Sequence, residues 1–530
     1  MSGRVVVVGG GPAGMRAAVA AADAGAVVLL VDAAPAIGGQ YHRQLPAGFA
    51  AARPGEAHHG WSELDALRRR IEQHPRIEHL PDTTVWAVEP GPLLHLQHGP
   101  ADAPGRRTSV VAAAALVIAT GAHDRVLPFP GWDLPGVFTA GAAQAMAKGQ
   151  RVAVGRRVLV AGTGPFLLPV AESLLGVGAR VVAVAEANAI GRSLRGCASN
   201  PRALPVQAGK TAELARYAAV LARHRVPYRP RTAVVVAHGT DALTAVTTAR
   251  VDADWREIPG SRRTIPVDAL CVGHGFTPQL EVAIAAGCRI EGDFVEVSGS
   301  QATSVPGVFA AGEITGIGGA VLAADEGTLA GLAAARFTGM PAARLDRAMT
   351  RAARRVRRGR AFAAALAAAY PIGSGWREWL NAGTLVCRCE EVPYSALADA
   401  IDTRGATGLR SLKLICRAGL GPCQGRICGR NVTDLADALL ADAARARGHK
   451  GPTTGDTPGH KGPTNGETAG VGDRGAVSRR PVVTPIRLGD LARHDARPRD
   501  ASPGDVGDVR LRDTGVGELD LHGSDDNEER

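Results

Sequence analysis

Apolar residues near the start of the chain come in unbroken runs rather than in alternation with polar ones. Residues 4–8 include four consecutive valines, a second apolar run covers residues 26–31, and an alanine-rich stretch to about Ala24 lies between them. Continuous β-branched runs are typical of parallel strands buried on both faces, and the alanine-rich stretch predicts the helix that connects them. The same strand, glycine-rich turn, helix and strand recur over residues 157–185, so the pattern predicts two βαβ units.

Size and charge limit the classes of protein to which the chain can belong. Its 530 residues, 45% of them apolar, suffice for roughly two to four domains. The net charge is +10, and much of the excess lies in the arginine-rich run 344–360. That run predicts a solvated helix face or, alternatively, a docking surface for an acidic partner. Because no aromatic residues alternate with the arginines and no DNA-binding motif is present, we expect no nucleic-acid partner.

Cysteine usage and the shortness of the apolar runs bear on location. Five of the eight cysteines lie between Cys387 and Cys428, which argues against a dispersed disulfide framework. No run reaches the length of about 18 apolar residues that a membrane span needs, and the first valine run is too short for a signal peptide. We therefore expect a cytoplasmic protein, at most peripheral to a membrane through its partners, whose free thiols can bind metal.

The turn after the first predicted strand carries a dinucleotide-binding fingerprint of the form GxGxxG. Its residues are Gly9, Gly11, Pro12, Ala13 and Gly14. The first glycine permits a tight turn, the second lets the backbone approach a pyrophosphate at the helix N-terminus, and the third permits close packing of helix on strand. Asp32 ends the next strand, where an acid accepts hydrogen bonds from a ribose. The fingerprint alone does not separate FAD from NAD.

Three later segments narrow the choice of nucleotide. They contain Gly38, Gly39 and Gln40 after the acid, Thr120 and Gly121 where the chain leaves the first domain, and Gly312 and Glu313 in a third glycine-rich segment. Together they resemble the two-dinucleotide-binding-domain flavoproteins, the family with the glutathione-reductase-like fold. The resemblance covers about residues 1–340 and implies that the first βαβ unit binds FAD through these residues. In that family the last position is usually aspartate, whereas Glu313 has the longer side chain.

The second βαβ unit carries a weaker version of the fingerprint. Gly162 and Gly164 keep the first two glycines, Leu167 replaces the third, and Glu186 supplies the acid. A leucine in the third position should push the helix away from the strand, and a glutamate should repel the 2′-phosphate of NADP. Bound NAD, another adenine nucleotide and a retained but empty fold all stay open for this site.

Two cysteine pairs lie near residues 387–428. Cys387 and Cys389 form the first pair, and Cys423 and Cys428 form the second about 34 residues further on. Two short helices predicted between the pairs would return the chain and bring the four thiolates together, which suits a [2Fe–2S] cluster or a Zn²⁺ ion. Glycines beside the second pair leave backbone N–H groups free to bond to cluster sulfurs. These glycines are Gly419, Gly421 and Gly425.

The residues around these cysteines resemble a known module. Cys-Arg-Cys-Glu-Glu-Val and Gly-Pro-Cys-Gln-Gly-Arg-Ile-Cys are similar to the bacterioferritin-associated-ferredoxin-like (BFD-like) [2Fe–2S] module over about residues 385–435. The resemblance implies that the four paired cysteines hold a [2Fe–2S] cluster. Cys416, between the pairs, is expected to be a bystander. Residues 40–196 contain no cysteine, so thiol–disulfide exchange is excluded as the main reaction.

The order of these parts resembles the large α (A) subunits of opine oxidases, hydrogen cyanide synthase, and D-hydroxyproline or L-proline dehydrogenases. Local matches are Gly39-Gln40-Tyr41-His42-Arg43-Gln44, His59-Gly60-Trp61, Thr139-Ala140-Gly141-Ala142-Ala143-Gln144, Gly162-Thr163-Gly164-Pro165, and an ending with Arg480-Pro481 and Pro485-Ile486-Arg487-Leu488. The resemblance implies two kinds of partner: a separate flavin-containing β subunit that oxidises the amine, and a small ferredoxin-like subunit. It also explains why no general-base constellation is recognisable.

The predicted fold is α/β, with two Rossmann-like dinucleotide-binding domains, a small helical BFD-like [2Fe–2S] domain and a disordered C-terminal tail. The layout is an FAD-binding domain at 1–125 and 290–345, a second dinucleotide-binding domain at 126–289, a basic helical connector at 346–384, a [2Fe–2S] domain at 385–440 and a tail at 445–530. The tail repeats His-Lys-Gly-Pro-Thr at 449 and 460, a composition that cannot build a core. Near 481–491 a short apolar segment is expected to dock on the body.

We therefore predict an FAD- and [2Fe–2S]-dependent oxidoreductase, the electron-transferring α subunit of a heteromeric amine, imino-acid or opine dehydrogenase. The first alternative is a stand-alone NADH-dependent reductase that uses the second nucleotide site. The second alternative is a regulatory protein that senses redox state or iron through the cysteine module.

Overall fold

The computed structural model describes residues 3–56, 58, 60–200, 203–446, 480 and 482–494. The Gly/Pro/Thr repeat and the acidic end, which were expected to be disordered, lie outside the described residues, as do His59 and Pro481. Among the described helices, none is both long enough and apolar enough to cross a membrane.

The strands are Val5–Val8 (β1), Val28–Val31 (β2), Ile77–Leu80 (β3), Thr83–Glu89 (β4), Leu93–His98 (β5), Arg107–Ala112 (β6), Ala115–Ile118 (β7), Ala122–Asp124 (β8), Val137–Thr139 (β9), Arg157–Gly162 (β10), Arg180–Glu186 (β11), Tyr228–Pro230 (β12), Thr232–Gly239 (β13), Leu243–Arg250 (β14), Arg263–Pro266 (β15), Ala269–Gly273 (β16), Phe276–Pro278 (β17), Ile290–Glu291 (β18), Phe294–Val295 (β19), Val308–Ala310 (β20), Leu385–Cys387 (β21) and Val392–Pro393 (β22). The helices are Pro12–Asp23 (α1), Trp61–Gln73 (α2), Ala140–Gln150 (α3), Leu167–Gly176 (α4), Ile190–Ala198 (α5), Leu204–Arg223 (α6), Glu281–Ala285 (α7), Gly319–Phe337 (α8), Ala342–Ala369 (α9), Tyr394–Asp402 (α10), Leu409–Cys416 (α11), Gly429–Ala446 (α12) and Leu488–Leu491 (α13).

The first domain is built on a parallel sheet in the order β20-β7-β1-β2-β3. The four valines of β1 are buried at its centre, as their unbroken run predicts. Because all five strands run the same way, the loops that follow β1, β2, β7 and β20 gather at one edge, where nucleotides bind in such folds.

The second domain repeats the architecture with a parallel sheet in the order β12-β11-β10-β16-β9. The two dinucleotide-binding domains predicted from the duplicated pattern are thereby confirmed. Leu280, Val282 and Ala283 pack in the same apolar core as Val6 and Val8 of β1, while the domain boundary at residue 290 stays a prediction.

The last domain contains the hairpin β21–β22 and helices α10 to α12. Its core is continuous with that of the second domain: Leu397, Leu412 and Leu435 belong to the same apolar cluster as Trp132 and Val272. The cysteine domain is therefore packed on the flavoprotein body rather than merely tethered to it.

The arginine-rich run lies on α9, which buries Ala352 and Val356 against α8. Two of its arginines are ion-paired with α8: Arg355 with Asp325 at 2.5 Å and Arg360 with Glu326 at 2.9 Å. The connector therefore binds to the first domain, while a docking role for its other arginines stays a prediction.

Candidate functional site

The three fingerprint glycines differ in what surrounds them. Gly9 has φ +108°, and a Cβ there would lie 2.3 Å from the Ala119 carbonyl oxygen. A Cβ on Gly14 would lie 1.7 Å from the Gly9 oxygen, whereas one on Gly11 would meet only the Gly39 Cα, at 3.9 Å. Packing therefore demands the first and third glycines, and the second faces open space in which a pyrophosphate fits.

Asp32 is held at the end of β2 with a free acceptor. The residue is 9% exposed. Its Oδ1 accepts from the Ala34 N–H at 3.4 Å, while Oδ2 is buried without a hydrogen-bond partner in the described part of the chain. Burial raises the pKa of this carboxyl to about 6. An orphaned acceptor at this place fits a ribose hydroxyl. The glycine turn 9–14 and Asp32, with the segments packed over them, are here named the cradle, and their chemistry suits a dinucleotide.

The segment after Asp32 closes over the first turn. The Gly38 N–H donates to the Gly10 carbonyl at 2.8 Å. Gly39 has φ +60° and comes so near that a Cβ would lie 2.8 Å from the Gly11 Cα. Gln40 is exposed beside them. These three residues therefore form the far wall of the cradle.

The segment that follows β7 leads from the cradle toward the cysteine domain. The Thr120 hydroxyl donates to the Gln279 carbonyl at 2.8 Å, and Gly121 has φ +77°. His123 lies two residues further, with its Nδ1 at 3.5 Å from the Gln279 amide nitrogen. Burial lowers the pKa of His123, whose Nε2 meets no hydrogen-bond partner among the described residues. No sequence motif includes His123.

The turn after β20 is fixed by a buried acid. The Gly312 N–H donates to Glu326 at 2.9 Å, and Glu326 is 1% exposed and also accepts from Arg360. Glu313 accepts from the Gly319 N–H at 2.8 Å, and burial raises its pKa to about 7. The longer side chain of Glu313 therefore caps the start of α8. Glu326 was missed because an acid inside an alanine-rich helix carries no motif.

In the second nucleotide site, the chain itself satisfies the predicted acid. Glu186 is 2% exposed. It accepts from the Thr163 hydroxyl at 2.7 Å and from the Gly164 and Asn188 N–H groups at 2.8 Å each. Burial raises the pKa of this carboxyl. The acid and the loop N–H that would contact a nucleotide are thus bonded to each other.

The end of α9 and the residues that follow it cover the second nucleotide site. The Asn188 amide donates to the Pro371 carbonyl at 3.0 Å, and the Ser193 hydroxyl donates to the Ala369 carbonyl at 3.3 Å. A Cβ on Gly196 of α5 would lie 2.3 Å from the Ala369 Cα, so the two helices touch through backbone. The turn of Gly162 is equally tight, since a Cβ there would lie 1.8 Å from the Gly273 oxygen.

The four paired cysteines surround one cavity of about 230 Å³, which Trp132, Val137 and Val272 also line. Their thiols are linked by hydrogen bonds in the order Cys387, Cys428, Cys423, Cys389. The bond from Cys428 lowers the pKa of Cys387 to about 6 and that of Cys423 to about 4.

The surroundings of the cysteines suit a two-iron cluster. The Gly419 N–H donates to the Cys387 sulfur at 3.5 Å, and the Gly425 N–H bonds to Cys423. A Cβ on Gly421 would lie 2.3 Å from the Cys389 Cβ. Among the described residues, no group of three or more His, Cys, Asp or Glu side chains is arranged so that it could hold a metal ion. The four cysteines nevertheless line one cavity, and four thiolates suit a [2Fe–2S] cluster. Cys416 instead bonds to the Leu412 carbonyl, at 3.1 Å.

The cysteine domain docks on the segment that leaves the cradle. The Asn431 amide donates to the Val126 carbonyl at 2.5 Å, and Arg125 pairs with Asp434 at 2.5 Å. The Trp132 indole donates to the Leu385 carbonyl at 2.6 Å. The chain that carries Thr120 and Gly121 thus continues directly into the contact surface of the cysteine domain.

Comparison with known proteins agrees with this arrangement. Residues 3–327 match the pyridine nucleotide-disulphide oxidoreductase family, and residues 385–438 match the BFD-like [2Fe-2S] binding domain. The A subunit of opine oxidase from Rhizobium meliloti is 31% identical over 445 residues, 81% of each chain. The HcnB subunit of hydrogen cyanide synthase from Pseudomonas aeruginosa is 32% identical over 439 residues, 81% of this chain and 91% of the relative.

Among solved structures, L-proline dehydrogenase from P. horikoshii superimposes with a TM-score of 0.56 at 18% identity, over 92% of this chain and 79% of that one. This likeness supports the fold. The family matches confirm the two cofactors expected from the sequence. The chain therefore belongs to the pyridine nucleotide-disulphide oxidoreductase family, in the group with HcnB and the opine oxidase A subunit, and is an FAD-dependent oxidoreductase with a BFD-like [2Fe–2S] domain.

Proposed function

We propose that the chain is the electron-transferring subunit of a heteromeric, cytoplasmic complex that oxidises an amine, imino acid or opine at a CH–NH or CH–NH₂ group. The relatives are named as subunits of opine oxidase and hydrogen cyanide synthase, which supports a heteromeric assembly. The partner required is a flavin-containing β subunit that converts the amine to an imine and releases two electrons and two protons. A small ferredoxin-like subunit is a further candidate partner.

The observation that carries the proposal is the docking of the cysteine domain on the segment after Gly121. When bound, FAD takes up electrons as a pair and the [2Fe–2S] cluster takes them singly. We assign FAD to the cradle formed by the predicted residues Gly9, Gly11, Pro12, Ala13, Gly14, Asp32, Gly38, Gly39, Gln40, Thr120, Gly121, Gly312 and Glu313. We assign the cluster to Cys387, Cys389, Cys423 and Cys428. The contacts of Arg125, Val126 and Trp132 would hold the two sites at a fixed separation.

The state of the second nucleotide site favours an electron-transferring subunit over a stand-alone NADH-dependent reductase. The proposal is that neither NAD nor another adenine nucleotide binds there, because Glu186 is already bonded to Thr163 and Gly164. A ribose would have to displace hydrogen bonds to a charged acceptor, each of which contributes about 1.5–3 kcal/mol. Electrons would then reach this chain from a partner and not from NADH.

The experiment is an anaerobic absorbance titration of the purified chain. NADH alone should leave the flavin bands unbleached, whereas the amine-oxidising partner with its substrate should bleach them. Rapid bleaching by NADH would contradict the proposal and favour the stand-alone reductase. A chain that takes up no electrons from any donor, yet keeps its cluster, would instead favour the regulatory protein.

A further inference from the structure

The segment formed by residues 480 and 482–494, here named the strap, is docked on the first domain. Val483 is 5% exposed, and its N–H donates to the Trp86 carbonyl of β4 at 2.8 Å. The Thr484 hydroxyl donates to the Val85 carbonyl at 3.1 Å. The strap thereby adds hydrogen bonds to the backbone of the sheet β4-β5-β6 of the FAD-binding domain.

The far end of the strap is anchored by buried polar groups. Asp490 is 2% exposed and accepts from the Gln97 amide at 3.1 Å. His494 is hydrogen-bonded to His95, with 2.9 Å between their ring nitrogens. Buried polar groups that are satisfied in this way are costly to separate, because each would lose its partner. The strap is therefore held along its length.

The near end of the strap is hydrogen-bonded to residues 423–428, here named the cluster loop. The Val483 carbonyl accepts from the Arg426 guanidinium at 3.2 Å, so one residue of the strap joins the sheet on one side to the loop on the other. Arg480 donates to the Gln424 carbonyl. Both contacts lie between Cys423 and Cys428, the two cysteines of the second pair.

A buried carboxylate in the first domain contacts both the strap and the cluster loop, and these contacts are here named the junction. Glu281 of α7 is 7% exposed and lies 3.3 Å from Arg426 and 3.6 Å from Arg480. The Arg480 side chain is only 11% exposed, and its hydrogen bond to the Gln424 carbonyl holds it beside the residue that follows Cys423. One anion thus faces two cations from two different segments, in a poorly solvated place where charges act strongly.

We propose that Glu281, Arg426 and Arg480 are positioning residues through which the strap fixes the cluster loop to the FAD-binding domain and sets the charge around the cluster. This rests on the proposed electron exchange between FAD and the cluster. The strap belongs to the chain beyond the [2Fe–2S] domain, so a segment late in the sequence completes a junction between two domains that precede it.

The first experiment compares two truncations of the full chain. Ending the chain after residue 446 removes the strap, whereas ending it after residue 494 keeps the strap and is the matched control. Without the strap, proteolysis of the cluster loop should become faster, and the rate of electron exchange between FAD and cluster should fall below that of the control. Equal proteolysis and equal rates for the two truncations would overturn the inference.

The second experiment separates charge from mere packing by measuring the midpoint potential of the cluster. Glu281→Gln leaves two cations without their anion, which should stabilise the more negative reduced cluster and raise the potential. Arg480→Gln should lower it, and Glu281→Asp should restore most of the wild-type value. Shifts in the same direction for Glu281→Gln and Arg480→Gln, or none, would contradict the assignment. If the wild-type protein itself exchanged no electrons between FAD and cluster, the proposed function would fail instead, while these potentials would still test the junction.

Discussion

Replacing Asp32 by asparagine is expected to stabilise the FAD-free protein at neutral pH and to weaken FAD binding. Burial of the carboxylate raises the pKa of Asp32 from 3.8 to about 6. At about 1.4 kcal/mol per pKa unit, the ionised form costs the fold about 3 kcal/mol, which is an upper limit for this 9% exposed residue.

The raised pKa determines whether the stability of the FAD-free protein rises or falls with pH. The folded protein binds the proton more tightly than the unfolded chain does, so the full contribution to stability is present below pH 3.8 and is lost as the pH rises through about 6. Relative to Asp32→Asn, the wild-type FAD-free protein should therefore lose up to about 3 kcal/mol between about pH 4 and pH 7.5. Denaturant unfolding of both proteins at the two pH values measures this difference.

FAD should reduce the difference in stability between the two proteins, because it binds the wild type more tightly. An acceptor with a charge makes hydrogen bonds of about 1.5–3 kcal/mol, against about 1 kcal/mol for a neutral one. Asparagine should therefore weaken FAD binding by roughly tenfold, measured by titration of the FAD-free protein. If Asp32→Asn and wild type unfolded alike at both pH values and bound FAD equally, Asp32 would not be a buried, ionisable ribose acceptor.

Four further results are expected. Gly11→Ala should leave the thermal stability of the FAD-free protein nearly unchanged and weaken FAD binding by about 100-fold. Gly14→Ala should lower that stability by about 1–3 kcal/mol, because its Cβ meets a carbonyl oxygen, and equal behaviour of the two variants would contradict this account of the cradle. Cys387→Ser should lose iron and sulfide while the control Cys416→Ser keeps both, and the reverse result in the metal assays would exclude the assigned ligands. Glu186→Gln places an N–H₂ group against donors and should lower stability by about 1–3 kcal/mol without creating affinity for NADH; NADH binding to either protein would refute closure of the second site.

Features that depend on neighbours in the sequence could be predicted, and features that depend on distant segments could not. The local sequence is enough to predict the roles of the valines at 5–8 and of the glycines in the first turn, because a strand, a tight turn and a helix N-terminus need those residue types in that order. The cysteine pairs were recognisable for the same reason.

Glu186 shows where local spacing is insufficient. Its position at the end of β11 predicts a ribose acceptor, but the segment that closes the site comes from Pro371, far along the chain. Glu281 and Glu326 carry no local signal at all, since their partners Arg480 and Arg360 come from other elements. Only the three-dimensional arrangement shows what these acids bind.

The central claim is that one chain carries FAD and a [2Fe–2S] cluster that exchange electrons. Its most direct test is a stepwise anaerobic photoreduction of the purified chain, followed by absorbance and electron paramagnetic resonance, with FAD, iron and sulfide assays on the same sample. The account predicts one FAD, about two irons and about two sulfides per chain, and a cluster signal that grows as the flavin bands bleach. Zinc in place of iron, no flavin, or a cluster that stays oxidised beside fully reduced flavin would contradict it.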